Sequence, residues 1–318
     1  LIDGPDLAYG LPESIGFKEA SYNVPLIFSF ANTINETSAM ADLILPANCS
    51  LEDWGTDVPM AGPGYQVVGF QQPVVRPFFE DRGEELGTKS VPDALMGIAS
   101  NLGIDLGLEG STFKDVVENG ARQLFELGRG SVKAGDFRAF WTGVFQRCGW
   151  WDTTSTVSSL KPAVKQLSEQ IADPEFAGPD GVDTFNLIPF SSSSLGEGEN
   201  AHLPWMQSMP DPVTSVTWQT WIEINIKTAE ELQITEGDVV KVLSAQGTGK
   251  TSREGINVLA YPHPAIPPGV VSIPIGQGHT QGGTYSKDRG PKVMSILSSK
   301  LDQEPVSVPW ASTKLKLE

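Results

Sequence analysis

Apolar residues recur along this chain at two different spacings. In the first half the spacing is helical. Phe113, Val116, Val117, Ala121, Leu124 and Phe125 recur at helical spacing, which puts them on one face of a helix over 113–127. Helices are also predicted over 90–102 and 136–147. The first of these opens with Ser90 ahead of Pro92, a hydroxyl that can cap the first turn and a proline where no backbone N–H is needed. Two short apolar runs, 26–30 and 43–45, read as strands, the second stopped by Pro46. From Phe185 onward the pattern changes to strand-length runs at 185–190, 221–226, 239–244, 256–260, 270–273 and 314–317, separated by turn residues such as Gly237-Asp238.

This switch predicts an α/β domain over 1–151, a connector over 152–183, and a compact six-stranded β-barrel over 184–318. Two stretches are expected to lack regular structure. The Gly- and Pro-rich segment 54–69 reads as a long irregular loop. The segment Ser191–Asn200, with four serines and alternating Gly and Glu, reads as exposed and poorly packed, because it offers little apolar area to offset the entropy of ordering.

Charge and cysteine content narrow the function classes. A net charge of −17 is the wrong sign for nucleic acid or anionic lipid. No apolar run approaches the roughly 20 residues of a membrane span, so any membrane contact is expected through another subunit. The two cysteines, Cys49 and Cys148, and three scattered histidines cannot make a four-cysteine iron–sulfur site or a closed zinc site. No metal is therefore expected on this chain. Cys49 is expected to be a small buried residue; whether it pairs with Cys148 depends on distances that sequence does not give. His202 and His263 read as surface residues. Glu36, Asp42, Glu52, Asp53 and Asp57 form a local acidic group. Paired carboxylates can do acid–base work, but at this net charge a solvated acidic surface is the favoured reading.

Two motifs carry more than pattern. Near the C-terminus stands Gly276-Gln277-Gly278-His279-Thr280, followed by Gly282-Gly283-Thr284-Tyr285-Ser286 and Arg289-Gly290. Glycines permit close backbone approach and positive φ, and a histidine and threonine among them supply hydrogen bonds to a polar heterocycle or phosphate; a tight barrel turn needs such glycines as well. Far upstream stands Asn35-Glu36-Thr37-Ser38-Ala39-Met40-Ala41-Asp42-Leu43-Ile44-Leu45-Pro46, then Leu51-Glu52-Asp53-Trp54-Gly55. The two resemble, in order, the glycine-rich pterin loop and the E-T-x-x-x-A-D-x-x-L-P … L-E-x-x-G segment of the molybdopterin oxidoreductase (DMSO reductase) superfamily. The stretch from Trp221 through Thr235-Glu236-Gly237-Asp238 to Val242 resembles the start of that family's C-terminal double-psi β-barrel.

The resemblance implies the C-terminal part of a molybdopterin-oxidoreductase fold, an α/β domain followed by a double-psi barrel. Leu1 in place of Met and a strand-end character over 1–12 suggest a piece of a longer or split polypeptide. The cofactor-binding residues it implies are Gly276, Gln277, Gly278, His279 and Thr280. The family's metal ligand lies N-terminal to everything present here, so no catalytic residue is assigned. The family's Arg after the loop is Thr284 in this chain, and its later Asn falls near Lys292, so polar contacts to pterin and phosphate are reduced. That departure, with Gly4…Pro12-Glu13-Ser14-Ile15-Gly16-Phe17 and Gln71-Gln72-Pro73-Val74-Val75-Arg76-Pro77, is similar to the branch holding the B subunit of alternative complex III and its polysulfide reductase-like relatives.

From that branch follows an expectation of a cofactor-free scaffold in a membrane-bound quinol:acceptor oxidoreductase, with no catalytic site in this chain. Its partners would be an iron–sulfur ferredoxin-like domain or subunit, a multi-heme cytochrome c and quinol-binding membrane subunits. Clusters and hemes would reside in those partners, on the periplasmic face. The alternative is part of an active bis-pterin enzyme of polysulfide reductase type, holding molybdopterin guanine dinucleotide.

Overall fold

The computed structural model describes residues 4–59, 64–77, 87–154, 173, 175–181, 183–245, 254–298, 302–303, 306–307 and 309–318. In chain order, short helices α1 (Leu7–Gly10) and α2 (Phe17–Ser21) precede strands β1 (Phe28–Ser29) and β2 (Leu43–Ile44). Strands β3 (Gly55–Asp57) and β4 (Gln66–Gln71) follow, then helices α3 (Val91–Asn101), α4 (Phe113–Glu126) and α5 (Phe137–Gln146), and strand β5 (Gly149–Asp152). The second half runs β6 (Thr184–Ser191), α6 (Pro204–Gln207), β7 (Trp221–Asn225), α7 (Ile226–Glu231), β8 (Val239–Ser244), β9 (Ile256–His263) and β10 (Val270–Ile275). It ends with β11 (Asp302–Gln303), β12 (Val306–Ser307) and β13 (Lys314–Leu317).

Six of these strands close a barrel in the order β10-β6-β13-β8-β9-β7. They are the six that the apolar runs predict. Closure pairs every strand on both sides and leaves no edge exposed. The pairs β6–β10 and β7–β9 are parallel and the remaining contacts antiparallel, the mixed pattern that a double-psi crossover needs. Side chains alternate along each strand. Phe185 and Leu187, Ile222 and Ile224, Val240 and Val242, and Val271, Ile273 and Ile275 are all buried in one core. Met294, Ile296 and Leu297 join that core from the turn Val293–Ile296.

The other core belongs to α4, α5 and the antiparallel sheet β3-β4-β5. Helix α4 starts at a Thr112–Asp115 capping box and buries Val117 and Ala121, with Phe113, Leu124 and Phe125 against the same cluster, as the spacing predicts. Ser90 caps α3 by accepting the Asp93 amide. Two expectations fail in this region. The segment 54–69 is not wholly irregular, because β3 and the start of β4 lie within it and pair, Asp57 with Gly69. Its glycines hid that: Gly69 packs against Asp57, and Gly149 on the next strand lies against the Val68 carbonyl, where no side chain fits. Cys49 is exposed rather than buried, and neither it nor Cys148 is in a disulfide. It precedes the turn Ser50–Glu52, with its amide donating outward to Glu52 Oε2.

Contacts divide the chain into two compact units, Leu1–Ile44 with Gln170–Glu318, and Leu45–Glu169. Residues 1–44 thus fold with the barrel, and the division differs from the one expected at 151. The reason lies in polar ties across the barrel unit. Tyr9 donates its hydroxyl to the Gln277 carbonyl at 2.9 Å, Lys292 Nζ donates to the Ala8 carbonyl at 2.9 Å, and Glu36 accepts from the 279–281 loop. Most of the connector 152–183 lies outside the described residues. Among the described residues no helix is long and apolar enough to cross a membrane.

Candidate functional site

The glycine loop leaves β10 at Gly276 with φ +116° and passes Gly278 at φ +86°. It folds back on itself: the Gly278 amide donates to the Arg289 carbonyl at 2.7 Å, and the Asp288 amide to the His279 carbonyl at 2.9 Å. A side chain at Gly278 would collide with the backbone of Pro291 and Lys292. Glycine is therefore required here by the loop's own closure, whatever it binds. Gln277 is buried and exchanges amide hydrogen bonds with Gln207, at 2.7 and 3.2 Å.

His279 is only 7% exposed. Its ring stacks on Tyr9 with centroids 3.8 Å apart and planes 12° from parallel. Its Nδ1 donates to Glu36 Oε2 at 3.0 Å. The other Glu36 oxygen accepts the amides of Thr280 at 2.6 Å and Gln281 at 3.2 Å. Over the remaining edge lies Gly198, at φ +118°. A side chain there would meet Tyr9 Cε1 at 2.6 Å and His279 Nε2 at 2.7 Å. His279 Nε2 is buried without a hydrogen-bond partner among the described residues.

Behind Glu36 stands Asp6, which caps α1 by accepting the Tyr9 amide and also accepts the Thr37 amide at 3.0 Å and the Thr37 hydroxyl. The Asp6 and Glu36 carboxyls lie side by side, with an oxygen of each within 4.8 Å, and the Glu36 amide donates to Asp6 Oδ2 at 3.3 Å. Burial raises the Asp6 carboxyl above the usual range, and the neighbouring Glu36 raises it further, against the Thr37 donors. Burial acts on Glu36 in the same direction, but hydrogen bonds from His279 and Asp6, the His279 charge and the Thr280 amide outweigh it and hold Glu36 well below the usual range. Burial also pushes the Tyr9 phenol up and the Lys292 amine down.

Two expectations are corrected by this geometry. Glu36 is 5% exposed and belongs to a buried network, not to a solvated acidic surface; its charge is matched by donors that are more than 240 positions away in sequence. Ser191–Asn200 is not loose. Ser192 and Gly196 exchange backbone hydrogen bonds at 3.0 Å, Leu195 and Gly198 are buried, and the segment covers His279. Serine and glycine serve there as turn residues around the single apolar anchor Leu195. Of the five predicted loop residues, Gln277 and His279 face inward, and Thr280 carries an amide to Glu36. Asp6, Tyr9, Gly198 and Lys292 were not legible as site residues; only the joint presence of the Glu36-Thr37 and His279-Thr280 motifs pointed toward their meeting place.

Asp6, Glu36 and His279 each offer one donor atom, all within 4.8 Å of one another. These donors are engaged with each other and with backbone amides, so the cluster is a hydrogen-bonded tie. The surroundings of His279 do not fit a pterin. One ring face is taken by Tyr9, one nitrogen by Glu36, and the far edge by the Gly198 backbone. On the other side of the loop a cavity of about 480 Å³ is lined by Glu13, Gln219, Asn257, Gly278, Thr280 and Lys292, among others. Its one amine among these is Lys292, already donating to Ala8. Thr284 is exposed and supplies no guanidinium.

Residues 204–303 match the family described as molydopterin dinucleotide binding domain. Among curated proteins, the chain is similar to a protein of Nitratidesulfovibrio vulgaris named menaquinone reductase, molybdopterin-binding-like subunit. The two are 24% identical over 307 residues, which is 94% of this chain and 38% of that protein. Among solved structures it is similar to acetylene hydratase from Pelobacter acetylenicus, with a TM-score of 0.62 and 15% identity, over 98% of this chain and 42% of that one. The second likeness is one of fold. In both cases the chain spans less than half of the relative's own length.

Proposed function

We propose a function that starts from descent: the chain belongs to the molybdopterin oxidoreductase superfamily, and it acts in a quinone-linked oxidoreductase as a scaffold without its own pterin. The relative's name supplies the quinone link and the subunit character. The observation that carries the scaffold reading is the enclosure of His279 by Tyr9, Glu36 and Gly198. Side chains and backbone of this chain occupy the surroundings of the loop's one imidazole. A net charge of −17 gives no general help in holding a polyanionic dinucleotide.

In this reading the complex is of the alternative complex III kind and oxidises quinol. The chain holds an iron–sulfur ferredoxin-like domain or subunit, a multi-heme cytochrome c and quinol-binding membrane subunits in register for electron transfer. It sits peripherally, on the periplasmic face, with clusters and hemes in the partners. The test is a density map of the intact complex around His279. The expected result is Tyr9 and Gly198 against the ring. A pterin within hydrogen-bond distance of His279 overturns the reading.

A second reading keeps an active bis-molybdopterin enzyme of polysulfide reductase type. What favours it is the cavity of about 480 Å³ beside Gly278 and Thr280, within or next to the matched dinucleotide-binding segment. There Thr280, Asn257 and Gln219 would hold molybdopterin guanine dinucleotide by hydrogen bonds, and the metal chemistry would be that of the bound group. The same map decides between the two.

A further inference from the structure

We propose that Asp6, Glu36 and His279 form a one-proton latch that fastens residues 6–9 and 36–37 to the barrel's glycine loop and loosens as pH rises. The geometry carries it. Three segments remote in sequence meet at two carboxyls and one imidazole, and the backbone amides of Tyr9, Glu36, Thr37, Thr280 and Gln281 all end on those carboxyls. A buried carboxylate and a half-buried one side by side cannot both ionise without repulsion. One proton between them resolves this: Asp6 keeps it and donates to Glu36, which stays ionised toward His279 Nδ1. The directions agree, Asp6 raised and Glu36 lowered.

Other ionisable groups stand next to the cluster. Tyr9 stacks on His279 and feels the charges of Glu36, Asp6 and Glu199. Lys292, over the Tyr9 ring, feels Glu36 and Asp6 and also Glu13 and Lys18. A carboxyl whose folded pKa is raised contributes stability that is complete below its unfolded value and is lost as pH rises through the folded one. When Asp6 releases its proton to solvent, two carboxylates stand side by side at the joint. The joint then opens more often, whatever the complex carries elsewhere.

The experiment is hydrogen exchange by mass spectrometry on the intact protein in its assembly, corrected for the intrinsic rate, between about pH 5 and about pH 9. The expected result is that protection of the peptides holding Tyr9 and Thr37 falls about tenfold as pH rises, as a second charge appears at the joint. Barrel peptides holding Val242 and Ile273 should not change. In Asp6→Asn, which cannot ionise but can still donate to Glu36, protection should be independent of pH. Unchanged protection in the wild type, or the same fall in Asp6→Asn, overturns the proposal. If Asp6→Asn does not fold, the wild type decides by infrared spectroscopy. A protonated carboxyl band that persists above the ordinary carboxylate range supports the latch, and its absence overturns it.

Discussion

Glu36 accepts from His279 Nδ1, from the amides of Thr280 and Gln281 and, at 3.4 Å, from the Thr280 hydroxyl. Removing it leaves His279 Nδ1 buried and unmatched, and the Thr280 and Gln281 amides without their acceptor. Glu36→Ala should therefore cost about 3–5 kcal/mol of unfolding free energy, the range for breaking a buried charged pair, read from denaturant midpoints. The same carboxyl sets an acid limb. Its folded pKa lies below the unfolded value of about 4.3, so its contribution is present above that value and is lost as pH falls through the folded one. Stability measured from neutral to acid pH should fall in the wild type, and less steeply in Glu36→Gln. Gly198 offers a second test. Gly198→Ala adds a methyl against Tyr9 and His279 at φ +118° and should cost about 1–3 kcal/mol from overpacking alone. Gly237→Ala, also at positive φ but with nothing within 4 Å, should cost less. None of these contacts has a periodic signal. A charge that is matched by partners far along the chain looks, in sequence, like any surface charge.

The barrel strands were legible as strand-length apolar runs bounded by turn residues. Leu187 and Ile273 lie on the register of β6 and β10, which run parallel with Leu187 opposite Val271 and Pro189 opposite Ile273, and both are fully buried. Leu187→Ala should destabilise by about 2–5 kcal/mol, transfer loss plus cavity, measured by urea unfolding. Exposed Ile188, next to it and on the outer face, should change little when made polar. Helices α3, α4 and α5 were legible from spacing and caps. The sheet β3-β4-β5 was not. β3 is 3 residues long, β4 follows a Gly- and Pro-rich stretch, and β5 is Gly149-Trp150-Trp151-Asp152, whose burial comes from Trp150 stacking under Gly130 rather than from alternation. The Ser191–Asn200 loop was misjudged for the converse reason: turn residues resemble a linker until an anchor such as Leu195 is placed.

Across the whole molecule, the amino-terminal 44 residues share a unit with the barrel. Sequence order hid this, since periodicity says what an element is and not what it meets. Family resemblance supplied the missing long-range link, by pairing the Glu36 motif with the His279 motif. The central claim is that this fold has kept its glycine loop while its own side chains fill the surroundings of His279. It is tested most directly by assaying molybdenum and released pterin on the purified complex, per mole of this chain. The account predicts neither above background. Molybdenum together with pterin at one or two equivalents would contradict it.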